Sequence, residues 1–220
     1  MKKIRNYNSA LAFASMGAIV SLPPGRGPYC FGIHGIVYHS TRSVGQDSPN
    51  PAYAGRYFMD SAQATDLRLH NQANAGCERW LMVALDSILR KFNPYALLYK
   101  SMRQVFEEDQ QNAVSENREQ LAVAMIFHSD KTQDQRRYNN PTNDEIGVVF
   151  NSVDGAPPAD RDIRGQLLIP TRGKDFINIE LHKSMCDPMT YPPLFPNGDS
   201  GWHPNIPYRT NDERRKTRSG

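Results

Sequence analysis

Cysteine is scarce in this chain of 220 residues, and the three that occur, Cys30, Cys77 and Cys186, lie far apart. An odd number without close pairs argues against a disulfide framework. No Cys-x-x-Cys pair occurs either, which argues against a four-ligand zinc site. These absences favour a reducing compartment, the nucleus or the cytoplasm, over secretion.

Long apolar runs are also missing, because no apolar stretch reaches the roughly 18 residues that a membrane span needs. Lys2, Lys3 and Arg5 precede an apolar run at 11–22, an order that is typical of a secretory signal. The Asn-Tyr-Asn-Ser sequence at 6–9 separates those charges from the run, however. No Asn-x-Ser/Thr sequence with a non-proline middle residue occurs in the chain. We therefore expect neither secretion nor a membrane partner.

The common motifs of nucleotide and hydrolase chemistry are absent. Gly173 and Lys174 come nearest to a P-loop, but Leu168 stands where the first glycine belongs and Asp175 follows the lysine. No Gly-x-Ser-x-Gly, His-Glu-x-x-His or His-x-His sequence occurs. We expect no catalytic residue, no metal, no cofactor and no small-molecule ligand.

A Gly-Asp-Ser-Gly sequence at 198–201 copies part of the nucleophile loop of chymotrypsin-type proteases. A serine nucleophile also needs a histidine base and an acid that orients it. Trp202 follows where a further glycine belongs, and no recognisable histidine motif lies upstream. The sequence favours a turn between Pro196 and Trp202 over a hydrolase centred on Ser200.

Two other clusters have simpler explanations than chemistry. His34 and His39 are five positions apart on a predicted strand, so they face opposite sides and do not share a metal. A Pro-rich stretch at 153–162 contains several aspartates, which metal-dependent nucleases also use. Arginines interleave with them, so a solvated turn is favoured. The aspartates are Asp154, Asp160 and Asp162, and the arginines are Arg161 within the stretch and Arg164 just after it.

Positive charge is concentrated at the C-terminal end. The net charge of the chain is +3. Residues 209–220 account for all of it, so the other residues are neutral together. A basic end on a neutral body suits weak, electrostatic contact with DNA, although a solvated terminus would look the same. Lacking apolar residues from position 210 onward, this tail is expected to be disordered. Its basic residues are Arg209, Arg214, Arg215, Lys216 and Arg218.

Helical periodicity is clearest in the middle of the chain. From Cys77 to Phe92, apolar residues recur every three or four positions and predict one buried face, formed by Leu81, Leu85, Ile88 and Phe92. Asn93 and Pro94 then end this helix and start another, because asparagine caps and proline fits the first helical position. The buried side of the second helix is predicted to contain Leu97, Leu98, Met102, Val105 and Phe106. The two helices form a hairpin with a tight corner.

Short runs rich in β-branched and aromatic residues predict strands on both sides of the hairpin. Their spacing favours an antiparallel meander, and the fold class is α+β with a Pro-rich irregular segment, Met185 to Pro207. We expect an irregular N-terminal segment at 1–28, a single module at 29–208 and the basic tail at 209–220. The predicted strands are Tyr29–Ser40, Arg56–Asp60, Gln120–Phe127, Glu145–Phe150, Gly165–Ile169 and Asp175–Leu181.

Three segments resemble one protein family. Residues 4–18 (IRNYNSALAFASMGA), 27–39 (GPYCFGIHGIVYH) and 191–202 (YPPLFPNGDSGW) resemble the segments IRxYNxxxAFxSxGA, GPYxFxIHGxxYH and YPLLFPxGxxGW. These lie upstream of the helicase-like domain in Helitron, or rolling-circle, transposon proteins of eukaryotes. The Asn-Pro corner also stands where that family has one. Gly32 departs from the pattern, since the family commonly has arginine there.

The resemblance implies a chain that starts partway into an ancestral protein. A cysteine-rich segment would precede it, and the DNA-nicking nuclease and ATP-dependent helicase would follow Gly220. Our first hypothesis is therefore a non-catalytic fragment of a Helitron replication-initiator/helicase, acting as a scaffold or DNA-positioning module. The second is a host-retained nucleic-acid-binding module that uses the basic tail. The third and weakest is a serine hydrolase around Ser200.

Overall fold

The computed structural model describes residues 3–21, 32–41, 44, 51–127, 147–152, 167–171, 177–180, 182–204 and 206. Helices and short antiparallel strands form an α+β fold there, as predicted. Two 3₁₀ turns, Tyr53–Arg56 and Gln72–Asn74, flank the second helix. In chain order the elements are α1 (Ile4–Leu11), β1 (Ser15–Ser21), β2 (Gly32–Thr41), α2 (Ser61–His70), α3 (Arg79–Phe92), α4 (Pro94–Glu116), β3 (Ala122–Phe127), β4 (Gly147–Ser152), β5 (Leu167–Pro170), β6 (Ile177–Ile179) and α5 (Cys186–Thr190).

Within the described residues the strands pair in two antiparallel sheets of three, ordered β1-β2-β6 and β4-β3-β5. The antiparallel prediction is confirmed, but a single meander is wrong. In the first sheet β6 returns across most of the chain to pair with β2, with His39 opposite Ile179. In the second, β3 lies between β4 and β5. Strand spacing indicates which segments are extended, but which edges pair depends on long-range packing.

The helical corner forms as the sequence predicts. The Asn93 side-chain oxygen accepts hydrogen bonds from the amides of Tyr95, at 3.0 Å, and Ala96, at 3.4 Å. Pro94 occupies the first helical position of α4, where its missing N–H costs nothing. Leu98, Met102 and Phe106 of α4 are buried, as expected. The hairpin thus packs against β3 and β4 through α4.

The predicted buried face of α3 is wrong by about one position. Met82, Asp86 and Leu89 are its buried residues. Ile88 is 45% exposed and Phe92 is 54% exposed, while Leu81 and Leu85 are only partly buried. Apolar residues occur on most sides of this helix, so counting them does not single out one face. The face that turns inward holds Asp86, paired in the interior, between Met82 and Leu89.

Two other predictions need correction. The segment 1–28, predicted to be irregular, contains α1 and β1. Arg56–Asp60 is not a strand, because Tyr53–Arg56 forms a 3₁₀ turn and Asp60 caps α2 by accepting a bond from the amide of Ala62. A capping aspartate needs local backbone bonds that an extended strand does not supply. The 1–28 and 29–208 boundary predicted from sequence remains a prediction.

An aromatic cluster at the centre of the core joins distant parts of the chain. Phe13 is fully buried, and its ring lies 4.3 Å from that of Tyr57 and 5.9 Å from that of Tyr99. Phe127 of β3 lies 5.5 Å from Tyr95 and 6.1 Å from Tyr99. The segment after α1 therefore contributes to the same core as the hairpin and the second sheet.

Candidate functional site

Hydrogen bonds between distant parts of the chain join the N-terminal segment to the Pro-rich segment. We call this region the motif junction, formed by residues 7–15, the Asn93–Pro94 corner and residues 185–202. The backbone amides of Phe13 and Ala14 both donate to the carbonyl of Met189, at 2.8 and 3.1 Å. The Asn8 amide group donates to the carbonyl of Thr190 at 3.0 Å. Segments about 180 positions apart are thereby held side by side.

Asn93 has a second role at the motif junction besides capping α4. Its side-chain nitrogen donates to the carbonyl of Phe195 at 3.0 Å, and the residue is fully buried. Gly198 follows with φ at +68°, a conformation that favours glycine. A Cβ on Gly198 would lie 2.7 Å from the ring of Pro94. The hairpin corner and the Pro-rich segment are therefore fitted to each other.

The Gly-Asp-Ser-Gly sequence forms part of this packing. The amide of Gly201 donates to the carbonyl of Ser184 at 2.7 Å. The carboxylate of Asp187 accepts a bond from the amide of Trp202, also at 2.7 Å. Ser200 is exposed, and among the described residues no histidine accepts a hydrogen bond from it. The carboxylate of Asp187 thus holds backbone in place, and no hydrogen bond joins Ser200 to a base among the described residues.

Beneath the motif junction lies a buried ion-pair network. Arg68 of α2 and Asp86 of α3 are fully buried, with Nη1 of the arginine 2.6 Å from Oδ1 of the aspartate. Arg90, one helical turn after Asp86, donates from Nε to its other oxygen at 2.8 Å. The Ser61 hydroxyl donates to that same oxygen at 2.6 Å. We call Arg68, Asp86 and Arg90 the arginine network.

The two arginines extend this network to the backbone around them. Nε of Arg68 donates to the carbonyl of Ala10 at 3.0 Å, so the end of α1 is tied to α2. Arg90 donates from Nη2 to the carbonyl of Arg56 at 2.8 Å and from Nη1 to that of Met59 at 3.1 Å. Because guanidinium groups stay charged and cannot accept, these bonds fix geometry and transfer no proton.

Positive charge exceeds negative charge around this network. Arg56 is also buried, and burial, followed by the charge of Arg68, lowers the pKa of its guanidinium. Arg68 and Arg90 both lie over the ring of Tyr57, at 5.1 and 5.4 Å from its centroid. Burial raises the pKa of Tyr57 despite those charges. One nitrogen of Arg68, Nη2, has no partner among the described residues.

Cys186 lies at the edge of the motif junction as a buried thiol. Its sulfur donates to the carbonyl of Glu180 at 3.2 Å, and burial raises its pKa to about 11. A thiol that stays protonated is a poor nucleophile. Cys77, the other described cysteine, is also free. Both therefore behave as packing residues.

Several candidate residues from the sequence, or their side chains, lie outside the described part of the chain. The backbone of His34 and His39 lies on β2, opposite Ile19 and Met16 of β1, but their side chains fall outside the described part. Asp154, Asp160 and Asp162, with Arg161 and Arg164, also lie outside it, as does the whole basic tail. In the described ranges, no group of three or more histidine, cysteine or acidic residues could hold a metal ion.

Sequence reasoning missed the arginine network. The one available signal was Asp86 followed by Arg90 four positions later, a spacing that is usual for exposed helix pairs. The partner from α2, Arg68, is 18 positions away and has no signature of its own.

Among the described helices none is long and apolar enough to cross a membrane. Comparisons of the chain with protein-family models, with curated proteins and with solved structures gave no match.

Proposed function

We propose that this chain is a non-catalytic scaffold or DNA-positioning module of the kind that precedes the helicase-like domain in Helitron proteins. One observation supports it most: the three segments that carry the resemblance meet in the fold. The first segment pairs with the second where β1 meets β2, with Met16 opposite His39 and Gly17 opposite Tyr38. The first segment also contacts the third, because the Tyr191 hydroxyl donates to the sulfur of Met16 at 3.5 Å. The amides of Phe13 and Ala14 donate to the carbonyl of Met189, just before Tyr191.

Residues that match the fixed positions of the family segments pack or form hydrogen bonds at the motif junction. Tyr7 accepts a bond from the amide of Glu78 at 2.7 Å, and Phe13 fills the centre of the core. Gly198 and Gly201 leave space for Pro94 and Asp187. A pattern whose fixed positions are used for packing suits a scaffold better than a reaction centre. This favours the first hypothesis over a hydrolase around Ser200.

The DNA part of the proposal rests on charge. Residues 209–220 hold five basic and two acidic side chains, whereas the rest of the chain is neutral. Lysine and arginine bind DNA phosphates without reading sequence, and each contact releases a counterion. The same tail is the basis of the alternative function, a host-retained nucleic-acid-binding module.

The test is DNA binding by the full chain, measured by fluorescence anisotropy on single-stranded and duplex DNA across a salt series. We expect weak, sequence-insensitive binding whose log–log salt slope does not exceed about 4.5 in magnitude, the value for five phosphate contacts. Neutralising Arg214, Arg215 and Lys216 to glutamine should reduce that slope by up to about 2.7, the value for three contacts.

The matched control neutralises three basic residues of the helices, Arg79 and Lys100, which are exposed, and Arg103, which is partly exposed, and should leave the slope unchanged. An effect of the control equal to that of the tail variant would move the DNA contact to the folded body. If neither the wild-type chain nor either variant binds DNA, the DNA part of the proposal fails and only the scaffold role is left. Turnover of ATP, of DNA or of a serine-directed probe that Ser200→Ala abolishes would overturn the non-catalytic part.

A further inference from the structure

The outer face of α3 is unusually apolar for a helix surface that faces solvent. Trp80 is 67% exposed, Val83 is 44% exposed and Ile88 is 45% exposed. Ala84 and Ser87 lie between them and are exposed as well, as is Lys91 at the end of the row. These six residues recur at spacings of one, three and four, so they form one stripe along the helix. We call them the α3 stripe.

The α3 stripe is chemically symmetric about its own middle. An antiparallel copy of the helix, centred between Leu85 and Asp86, sets Val83 opposite Ile88 and Ala84 opposite Ser87. Small residues thus meet at the crossing point, where helix axes approach to about 8–10 Å. Branched aliphatic residues meet on either side of it. In a two-fold interface the same patch meets itself and each contact occurs twice, so a row that matches its own reverse suits such an interface.

Lys91 gives one end of the α3 stripe a positive charge, and Glu78 lies two residues before its other end with a negative charge. The same centring sets Trp80 opposite Lys91 of the second copy, and an ammonium over an indole face is attracted by the ring. The carboxylate of Glu78 accepts a hydrogen bond from the indole N–H of Trp80. It therefore holds the indole in place and lies beside the position that the second ammonium would take.

From these observations we infer that two copies of this chain associate through antiparallel α3 helices, a property beyond the proposed DNA-related function. The helix has 14 residues and is about 21 Å long. An interface of that size is at the small end of specific interfaces, so association is weak. Half-association is expected on the order of 100 µM.

The experiment is sedimentation equilibrium of the full chain from low micromolar to near millimolar concentration. Glu78→Lys and Lys91→Glu each place like charges at both ends of the pair, so each should weaken association at least tenfold. An equimolar mixture of the two variants places opposite charges at both ends and should restore association. So should one chain that carries both changes. Net charge as such would not weaken both single variants, because Glu78→Lys raises the net charge of the chain and Lys91→Glu lowers it.

A second pair of variants locates the surface. Ala84→Arg puts a long charged side chain at the crossing point and should abolish association. Val114→Arg changes a residue of α4 that is 80% exposed and should leave association intact. Circular dichroism at low concentration checks that both variants keep the native helix content. A wild-type chain that stays monomeric throughout, or mixing that restores nothing, would overturn the inference.

Discussion

At the scale of single residues, the most consequential position is Asp86. A buried carboxylate is costly unless it is paired and fully hydrogen-bonded. Here Arg68, Arg90 and Ser61 together supply three donors to its two oxygens. The ion pair fixes one arrangement of α1, α2 and α3 but adds little to the free energy of unfolding. Apolar residues of similar size would pack there without the desolvation cost.

Replacing Asp86 by asparagine should lower the free energy of unfolding by about 3–5 kcal/mol, because it leaves the buried charge of Arg68 uncompensated. Asp66→Asn is the matched control, since Asp66 pairs with Arg79 at the same 2.6 Å while the two side chains are 48% and 60% exposed. That exposed pair should contribute at most about 1 kcal/mol. Urea denaturation of both variants measures the difference. Equal, small losses would mean that water reaches the arginine network.

At the scale of elements, local signals predicted some of the structure well. The Asn93–Pro94 corner has a capping side chain and a proline whose preferences act within a few residues, so the sequence specifies it. By contrast, α1 has no acidic residue in its first turn and no side-chain cap. It is held by distant contacts, such as the bond from Asn6 to the carbonyl of Ala73 at 2.6 Å. No local sequence pattern indicates a contact between residues so far apart in the chain.

The motif junction was predictable only in part. The segments that resemble a family pattern pointed to Phe13, Gly198 and Gly201, which the structure shows to be packing positions. Nothing in one sequence indicated that they meet. The same limit explains the misassigned face of α3, where apolar residues occur on several sides and only tertiary packing shows that Met82, Asp86 and Leu89 are buried.

Substitutions on α3 measure which of its faces is buried. Met82→Ala should cost about 2–5 kcal/mol, since the side chain is fully buried and its removal leaves a cavity. Ile88→Ala should change stability by no more than about 0.5 kcal/mol, because it acts on the exposed side. Leu85→Ala, partly buried, should fall between them. Urea denaturation at low micromolar concentration keeps the chain dissociated. If Ile88→Ala lowers the free energy of unfolding more than Met82→Ala does, the buried face of α3 is the one predicted from the sequence.

At the scale of the whole molecule, the core joins parts that the sequence separates widely. Phe13 comes from the N-terminal segment, Tyr57 from the turn before α2, and Tyr95 and Tyr99 from α4. Tyr57 donates from its hydroxyl to the carbonyl of Leu11 at 2.6 Å, which fastens the N-terminal segment from a second side. Loss of this core should therefore unfold both sheets and the helices together.

Alkaline pH tests that cooperativity. Burial raises the pKa of Tyr57, Tyr95 and Tyr99 above their ordinary value of 10.0. A raised folded-state pKa gives stability that is complete below the unfolded value and is lost as pH rises above it. We expect one transition above pH 10.0 in which tyrosinate absorbance and helix content change together.

Tryptophan emission is a poor reporter of this transition, because Trp80 and Trp202 are 67% and 58% exposed in the folded chain. Tyr95→Phe should move the transition to higher pH, since one ionising group of the core is removed. Ionisation of all ten tyrosines with helix content unchanged would place this aromatic core in contact with water and contradict the packing described for it.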